Sequence, residues 1–316
     1  MSAKATRQAF GESLARLGES HSEIVVLDAD LSKSTKSEIF AKKFPQRFFE
    51  MGIAESNMVG TAAGLAFMGK IPFLCSFGAF LTGRYDIIRL SVAYAQANVR
   101  MIGTHAGIGI GDDGHSQMGL EDISLMRALP QMGVFQPMDA RETECLMDYL
   151  VKDHVGPAYV RLTRQNLPNL FPAGVVFKPG KLMEIRGVSG GRTDVVILAT
   201  GAAVAEAVQA SEQLAAKGIY AAVWNAHSLK PFDHEMTVAL SKKAPLFVTV
   251  EDHSVIGGLG SCVAEVFAEL DRHPPLVKLG VQDTFGESGE PVELYEKHGI
   301  SSGAIARTIE KRLKNR

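Results

Sequence analysis

Residues 56–77, SNMVGTAAGLAFMGKIPFLCSF, place a helix-like segment of small and apolar residues directly before a short, strongly apolar run. Similar runs recur on both sides of this stretch: EIVVLDAD (23–30), VRMIGTHA (99–106), MGVFQPMD (132–139) and AYVRLT (158–163). A second helix-like segment, ARETECLMDYLVKD (140–153), separates the last two. This alternation predicts repeated βα units on a mainly parallel sheet.

A second βα series follows a stretch that contains prolines. Residues 166–184 include Pro168, Pro172 and Pro179, and predict a linker with little regular structure. The strand-like runs beyond it are DVVILAT (194–200), YAAVWNAHSL (220–229), PLFVTVED (245–252) and PLVKLGV (275–281), and helices are expected near 202–217, 258–271 and 301–313. We therefore predict two consecutive doubly wound α/β domains, residues 1–165 and 185–316.

The composition argues against several classes of function. The chain has 33 basic and 35 acidic residues among 316, so it has no electrostatic footprint for nucleic acid or anionic lipid. No stretch approaches the roughly 18 apolar residues of a membrane helix, and the start, MSAKATRQAF, does not resemble a signal peptide. Cys75, Cys145 and Cys262 lack CxxC spacing and lie in apolar stretches. We expect buried thiols and a cytoplasmic protein.

A glycine-rich segment, GIGIGDDG (107–114), follows one of the predicted strands. It is not a dinucleotide-binding fingerprint, because two aspartates and a polar stretch come before any helix, and it lacks the lysine of a P-loop. Two interpretations stay open. The loop either brings backbone close to a ligand or is a long surface turn.

Other candidate residues lie near the ends of predicted βα elements, where open α/β sheets bind ligands: Arg7, Ser34, His105 and Arg164. Glu55 lies between a strand that ends at Met51 and a helix that begins near Ser56, which is also typical of a helix-capping carboxylate. No zinc pattern and no G-x-S-x-G elbow occur, which argues against a metalloenzyme or a serine hydrolase.

The order of longer segments resembles the C-terminal half of transketolases across essentially the whole chain. The similar segments are LDADLSKST (27–35), RFFEMGIAESNMVGTAAGLA (47–66), PFLCSFGAFLTGRYDIIR (72–89), GTHAGIGIGDDGHSQMGLEDISLMRALP (103–130), YVRLTRQN (159–166), NAHSLKPFD (225–233) and TVEDHSVIGGLGSCVAE (249–265). The resemblance implies thiamine diphosphate-dependent transfer of two-carbon ketol units between sugar phosphates, as in the pentose phosphate pathway.

The resemblance assigns roles on the cofactor side of the site. Glu55 matches the glutamate that hydrogen-bonds N1′ of the aminopyrimidine, a contact that lets the cofactor act as its own base. Phe77 and Phe80 match the aromatic pocket around the pyrimidine. Gln117 stands where many bacterial and yeast members have histidine, and animal-type members share the SQM arrangement. Whether His115 has a catalytic part is left open.

On the substrate side, His105 and Asp113 match residues that contact the hydroxyls of the donor sugar, and His105 counts as a catalytic candidate. Arg7, Ser34 and Arg164 match the residues that grip the phosphate. Arginine suits this task because its planar guanidinium is always charged and binds phosphate in a bidentate manner.

The resemblance also implies a partner. Full-length transketolases have an N-terminal domain that holds Mg²⁺ or Ca²⁺ and the cofactor diphosphate through a GDG motif and a following Asn, and no segment of this chain resembles it. We expect no metal ligands here, an N-terminal partner subunit, self-association to a dimer, and a two-plus-two heterotetramer. Met1 and Arg316 lie next to the first and last expected helices, which favours a natural subunit over a fragment.

Three alternatives stay open. The beta subunit of a 2-oxo-acid dehydrogenase would share Glu55 and the aromatic pocket but needs no phosphate grip. The matching half of a deoxyxylulose phosphate synthase usually differs from SFGAFLTGRYD (76–86). A silent regulatory subunit has no physical reason to keep an acid, an aromatic pocket and a phosphate grip together.

Overall fold

The computed structural model describes residues 3–188 and 192–315. The expectation about Met1 and Arg316 lies outside the described residues. The strands, in chain order, are β1 (Lys4–Ala5), β2 (Ile24–Asp28), β3 (Phe48–Glu50), β4 (Ile71–Phe77), β5 (Arg100–Thr104), β6 (Gly133–Phe135), β7 (Ala158–Arg161), β8 (Asn166–Leu167), β9 (Met183–Arg186), β10 (Val195–Ala199), β11 (Ala221–Asn225), β12 (Ser228–Lys230), β13 (Phe247–Ser254) and β14 (Leu276–Val281).

The helices lie between these strands. They are α1 (Thr6–Leu17), α2 (Ser32–Thr35), α3 (Glu38–Lys43), α4 (Glu55–Phe67), α5 (Gly78–Thr82), α6 (Tyr85–Ile87), α7 (Asp122–Ala128), α8 (Ala140–Lys152), α9 (Ala203–Ala215), α10 (His234–Ser241), α11 (Leu259–Ala268), α12 (Pro291–Lys297) and α13 (Ser302–Lys314). A π-helix spans Ile88–Tyr94, and 3₁₀ turns span Pro45–Arg47 and Ile108–Ile110. No helix among the described residues is long and apolar enough to span a membrane.

The first sheet has the strand order β12-β6-β7-β5-β4-β2-β3, and β12 pairs antiparallel while the other pairs are parallel. Successive residues of β2 enter two different apolar cores. Val25 and Leu27 pack with the core that contains Met58 of α4, whereas Ile24 and Val26 pack with the core around α1. Burial on both faces explains why the strand is continuously apolar.

The second sheet has the order β14-β13-β10-β11-β9, with only the β9 pair antiparallel. This confirms the α/β fold with two mainly parallel sheets. Two features depart from the expected pattern. The segment Ser228–Lys230 crosses to the edge of the first sheet, and the expected linker contains β8 and the start of β9. The domain limits 1–165 and 185–316 remain a prediction.

Candidate active site

All predicted site residues except Glu55 line one cavity of about 460 Å³, here called the arginine cavity: Arg7, Ser34, Phe77, Phe80, His105, Asp113, Gln117 and Arg164. Four of them follow or end strands whose carboxyl ends meet at one edge of the first sheet, namely β2, β4, β5 and β7. Arg7 reaches this edge differently. The antiparallel pairing of β1 with β8 brings the start of α1 next to the segment after Arg164.

Two guanidinium groups lie in the arginine cavity. Nη1 of Arg7 donates to the carbonyl oxygen of Ser34 at 2.8 Å. Its Nε is buried and has no hydrogen-bond partner among the described residues. Nη1 of Arg164 lies 3.0 Å from the Asp113 carboxylate and 3.2 Å from the carbonyl oxygen of Ile110. Burial and the nearby charge of Arg164 lower the pKa of Arg7. The arrangement suits an anion that can accept hydrogen bonds from both arginines.

His105 lies at the inner wall of this cavity, with 3% of its surface exposed. Its backbone has a positive φ of 55°, and its ring stacks on Phe77 with 3.9 Å between centroids. Nε2 lies 3.0 Å from Nη1 of Arg7, and Nδ1 lies 2.9 Å from Oγ1 of Thr104. Burial, together with the charges of Arg7 and Arg164, lowers the pKa of His105 to about 3. The imidazole is therefore neutral at physiological pH.

Phe80 separates the arginine cavity from a second cavity of about 330 Å³, here called the glutamate cavity. The ring of Phe80 is half-buried and stacks on Phe77 with 5.4 Å between centroids. The glutamate cavity is lined by Ala29, Asp30, Leu31, Ile53, Glu55, Phe80 and Arg84. Leu31 and Phe80 line both cavities, so the predicted residues form one continuous region.

Glu55 is the first residue of α4 and is 6% exposed. A guanidinium nitrogen of Arg84 lies 3.8 Å from its Oε2. Ala54, the residue before the helix, gives it no side-chain cap. Since Glu55 lies inside a cavity, its carboxylate is accessible to a ligand from the cavity side. The cost of burying a carboxylate is offset only in part by an ion pair of this length.

The glycine-rich loop is not a simple surface turn. Gly107–Gly111 is buried, and Gly107, Gly111 and Gly114 have positive φ angles. Beyond it, Gln117 faces the arginine cavity. His115 instead lines a third cavity of about 650 Å³ together with Phe285 of the second half of the chain.

Sequence reasoning missed several residues that shape the site. Leu31 and Ile53 line the glutamate cavity and lie inside segments that resemble transketolases. A single apolar residue in such a segment does not by itself indicate a ligand-binding role. Arg84 lies in SFGAFLTGRYD and faces Glu55 across the glutamate cavity. A basic residue 29 positions after an acidic one gives no sequence signal for this contact, because the fold alone brings them together.

Comparison with known proteins gives matches over nearly the whole chain. Residues 2–169 match the family model "Transketolase, pyrimidine binding domain", and residues 187–305 match "Transketolase, C-terminal domain". A putative transketolase C-terminal section from Methanocaldococcus jannaschii is 43% identical over 98% of this chain and 97% of its own length.

Two further relatives are similar in length. A 6-deoxy-6-sulfo-D-fructose transketolase subunit from a Clostridium species is 42% identical, over 95% of this chain and 92% of its own. A solved structure described as a split gene transketolase, inactive beta4 tetramer, is 43% identical with a TM-score of 0.87, and the match covers 99% of each chain.

Proposed function

Because this chain belongs to the transketolase family, we propose that it is the C-terminal subunit of a split transketolase that transfers two-carbon ketol units between sugar phosphates with thiamine diphosphate. The observation that carries the proposal is that the two cavities are adjacent and share Leu31 and Phe80 in their walls. A buried carboxylate, Glu55, lies on one side of Phe80, and a pair of arginines lies on the other.

The glutamate cavity fits the pyrimidine end of the cofactor. Thiamine diphosphate, when bound, supplies a thiazolium carbon that becomes the nucleophile of the reaction. Glu55 would hold a proton at N1′, since its carboxylate is buried and faces the cavity. Phe80 would provide a face for the pyrimidine ring, because it is half-buried and already stacks on Phe77.

The arginine cavity fits the phosphate end of the sugar. The buried Nε of Arg7 has no hydrogen-bond partner among the described residues, and the side chain of Arg164 is partly exposed. Both arginines can therefore donate hydrogen bonds to a bound anion. His105 and Asp113 would then meet hydroxyl groups of the donor sugar. This cavity is also the reason to prefer a transketolase over the beta subunit of a 2-oxo-acid dehydrogenase or a silent subunit, neither of which needs two arginines here.

A sulfonated sugar is the second candidate substrate. The Clostridium relative carries 6-deoxy-6-sulfo-D-fructose in its name. A sulfonate is tetrahedral like a phosphate and would accept hydrogen bonds from the same two guanidinium groups. A phosphate carries more charge at neutral pH, so two cationic groups favour the phosphate.

A partner subunit would cover the glutamate cavity. Five apolar residues on α4, at its ends or on the π-helix are exposed and are here called the α4 face: Ile53 (82% exposed), Phe67 (62%), Met68 (80%), Leu90 (57%) and Tyr94 (85%). Helix α4 packs against the π-helix that contains Leu90 and Tyr94. Exposed apolar surface of this kind marks an interaction site, and Ile53 also lines the glutamate cavity.

We assign the α4 face to the N-terminal subunit, which would supply the metal and the diphosphate anchor. Across residues 3–188 and 192–315 there is no group of three or more His, Cys, Asp or Glu side chains that could hold a metal ion. A two-plus-two heterotetramer would combine this contact with self-association. The three free cysteines fit a reducing, cytoplasmic compartment.

The test is reconstitution. The chain alone, the N-terminal subunit alone and their mixture are assayed for ketol transfer with thiamine diphosphate and Mg²⁺, using phosphorylated and sulfonated donors in parallel. We expect activity only in the mixture. Leu90→Asp should weaken co-purification of the two subunits, whereas Val292→Asp, at an exposed apolar position on α12 outside the α4 face, should not. Ketol transfer by the chain alone would refute the split-subunit proposal.

A further inference from the structure

The second half of the chain contacts the glycine-rich loop through a buried carboxylate. Oδ1 of Asp252, in β13, accepts a hydrogen bond from the amide of Ile108 at 2.7 Å, and Oδ2 accepts from the amide of Gly109 at 3.2 Å. The hydroxyl of Tyr295, in α12, donates to Oδ2 at 2.8 Å. Asp252 is 2% exposed and Tyr295 is 4% exposed.

This contact depends on the glycines of the loop. A Cβ atom at Gly107 would lie 2.3 Å from Oδ2 of Asp252, and one at Gly109 would lie 2.3 Å from Oε1 of Gln165. Both distances are far below van der Waals contact. Gly107 also has a φ of 89°, which residues with a side chain rarely adopt. The missing side chain of Gly107 thus makes room for the Asp252 carboxylate, and that of Gly109 makes room for Gln165.

The same loop carries groups of the arginine cavity. The carbonyl oxygen of Ile110 accepts a hydrogen bond from Arg164 at 3.2 Å. Ile110 directly follows Ile108 and Gly109, whose amides donate to Asp252. Asp113 pairs with Arg164 at 3.0 Å. The far end of the loop is also bracketed by the second half of the chain, since Gly111 and Gly114 lie against Gly289 and Ser288.

We infer that Asp252 and Tyr295 are positioning residues of the arginine cavity: they hold the Ile108 and Gly109 amides and so set where Asp113 and Arg164 meet the substrate. The second half of the chain then has a part in substrate binding although neither residue lines the arginine cavity. Charge-assisted hydrogen bonds to two amides are suited to this, because they fix a loop of glycines that has little conformational preference of its own.

The ordering of the loop can be tested on the chain by itself, with no partner and no cofactor. Hydrogen–deuterium exchange followed by mass spectrometry gives the exchange rate of peptides that cover residues 107–118. Tyr295→Phe removes one hydroxyl and keeps the ring, and Asp252→Asn keeps the shape but presents a donor to one of the two amides. We expect exchange of these peptides to accelerate by about fivefold or more in each variant, the factor that corresponds to one lost hydrogen bond.

Tyr220→Phe is the matched control, because Tyr220 lies in the same half of the chain, is 40% exposed and has backbone hydrogen bonds with Asp194 and Val195 directly before β11. It should leave the loop peptides unchanged. Peptides from β10 and β11 should also exchange as in the wild type in every variant, which separates a local effect from general destabilisation. If Tyr295→Phe and Asp252→Asn leave the loop peptides at the wild-type rate, the inference is wrong.

The substrate-binding part of the inference rests on the proposed function and needs the assembled enzyme. Tyr295→Phe should raise KM for a sugar phosphate while the exchange rate of the cofactor's thiazolium proton stays unchanged. A lower kcat with an unchanged KM would overturn the positioning role. Absence of ketol transfer in the wild-type mixture would refute the proposed function instead, and the exchange measurement on the chain alone would still decide whether Asp252 orders the loop.

Discussion

Nη1 of Arg7 lies 3.0 Å from Nε2 of His105, and this contact determines the tautomer of the histidine. A guanidinium can only donate, so Nε2 must accept and the proton must reside on Nδ1. Nδ1 lies 2.9 Å from Oγ1 of Thr104, which can accept that proton's hydrogen bond. The acceptor nitrogen of His105 therefore faces Arg7 at the wall of the arginine cavity.

The first prediction concerns the charge of His105. Its pKa is lowered from 6.5 to about 3, mainly by burial. Imidazole NMR signals should therefore show the Nδ1-protonated neutral ring, without titration between pH 8 and pH 5. Arg7→Met should raise the pKa only in part, since burial remains. Arg186→Met, at a surface ion pair with Glu212, should have no effect. A wild-type midpoint near pH 6.5 would contradict the assignment.

The lowered pKa of His105 also makes the stability of the folded chain depend on pH. The folded pKa of His105 lies below the unfolded value, so the unfolded chain takes up the proton first as pH falls. The stability contributed by neutral His105 is present above pH 6.5 and is lost as the pH falls toward the folded pKa of about 3.

A second prediction concerns Glu142, a fully buried carboxyl in α8. It accepts hydrogen bonds from the Met138 amide at 2.7 Å and from Nδ2 of Asn225 at 2.8 and 3.0 Å. Burial raises its pKa from 4.5 to about 8. In the folded state Glu142 thus stays protonated to a higher pH than in the unfolded state. The stability of the fold therefore falls as the pH rises from 4.5 through about 8. The slope from one group cannot exceed about 1.4 kcal/mol per pH unit.

Glu142→Gln removes this titration while it keeps an acceptor for the Met138 amide. Urea unfolding at pH 5.5, 7 and 8.5 should show the variant gaining stability over the wild type as pH rises. Glu144→Gln, two positions along on the exposed side of α8, should follow the wild type. Parallel pH profiles for the wild type and Glu142→Gln would show that the carboxyl does not titrate in this window.

The course of the strands and the position of the arginine cavity could be predicted from the sequence for physical reasons. Strands buried on both faces have continuous apolar runs, and the carboxyl ends of neighbouring parallel strands bring Phe77, His105 and Arg164 to one edge. The pairing of Ser228–Lys230 with the first sheet could not be predicted, because a three-residue strand shows no periodicity and its partner β6 lies far away in the sequence. The contact of Asp252 with the glycine loop spans 144 positions and has no local signal either.

A third prediction concerns substrate choice. Arg164 is partly exposed, and within the described part of the chain its hydrogen bonds to Asp113 and Ile110 both use Nη1, which leaves its other donors for an anion. In the assembled enzyme, Arg164→Ala should lower kcat/KM for a sugar phosphate by roughly one to two decades, through KM, because a hydrogen bond to a charged group contributes about 1.5–3 kcal/mol. A sugar without phosphate should be nearly unaffected.

Two comparisons make that result specific. Arg186→Ala removes an arginine that is paired at the surface with Glu212 and should leave both substrates unchanged. Arg7→Ala should also raise KM, and in addition it should lower stability, because Arg7 donates to the Ser34 carbonyl and contacts His105. An equal loss for phosphorylated and nonphosphorylated sugars in Arg164→Ala would indicate a structural role.

The last prediction concerns Glu55. Glu55→Gln keeps the shape of the side chain but removes the proton that, in the proposed function, the carboxyl supplies to the pyrimidine nitrogen. Folding should survive, because the change keeps the volume of the side chain and the one described ionic contact of Glu55, to Arg84, is 3.8 Å long. Positioned proton transfer contributes about 10²–10⁴-fold, so the assembled enzyme should lose ketol transfer to that extent, and exchange of the thiazolium proton with deuterium should slow in parallel.

Arg84→Met is the matched control for this variant. It removes the same ion pair but leaves the Glu55 carboxyl in place, and its side chain is 48% exposed. The pair is long and its Arg84 side is open to solvent, so it contributes little and both variants should stay folded under the assay conditions. Only Glu55→Gln should slow thiazolium proton exchange severely. An equal loss of activity in both variants would mean that activity depends on the ion pair and not on the Glu55 carboxyl as an acid. If Glu55→Gln kept normal thiazolium proton exchange, Glu55 would have no part in activating the cofactor.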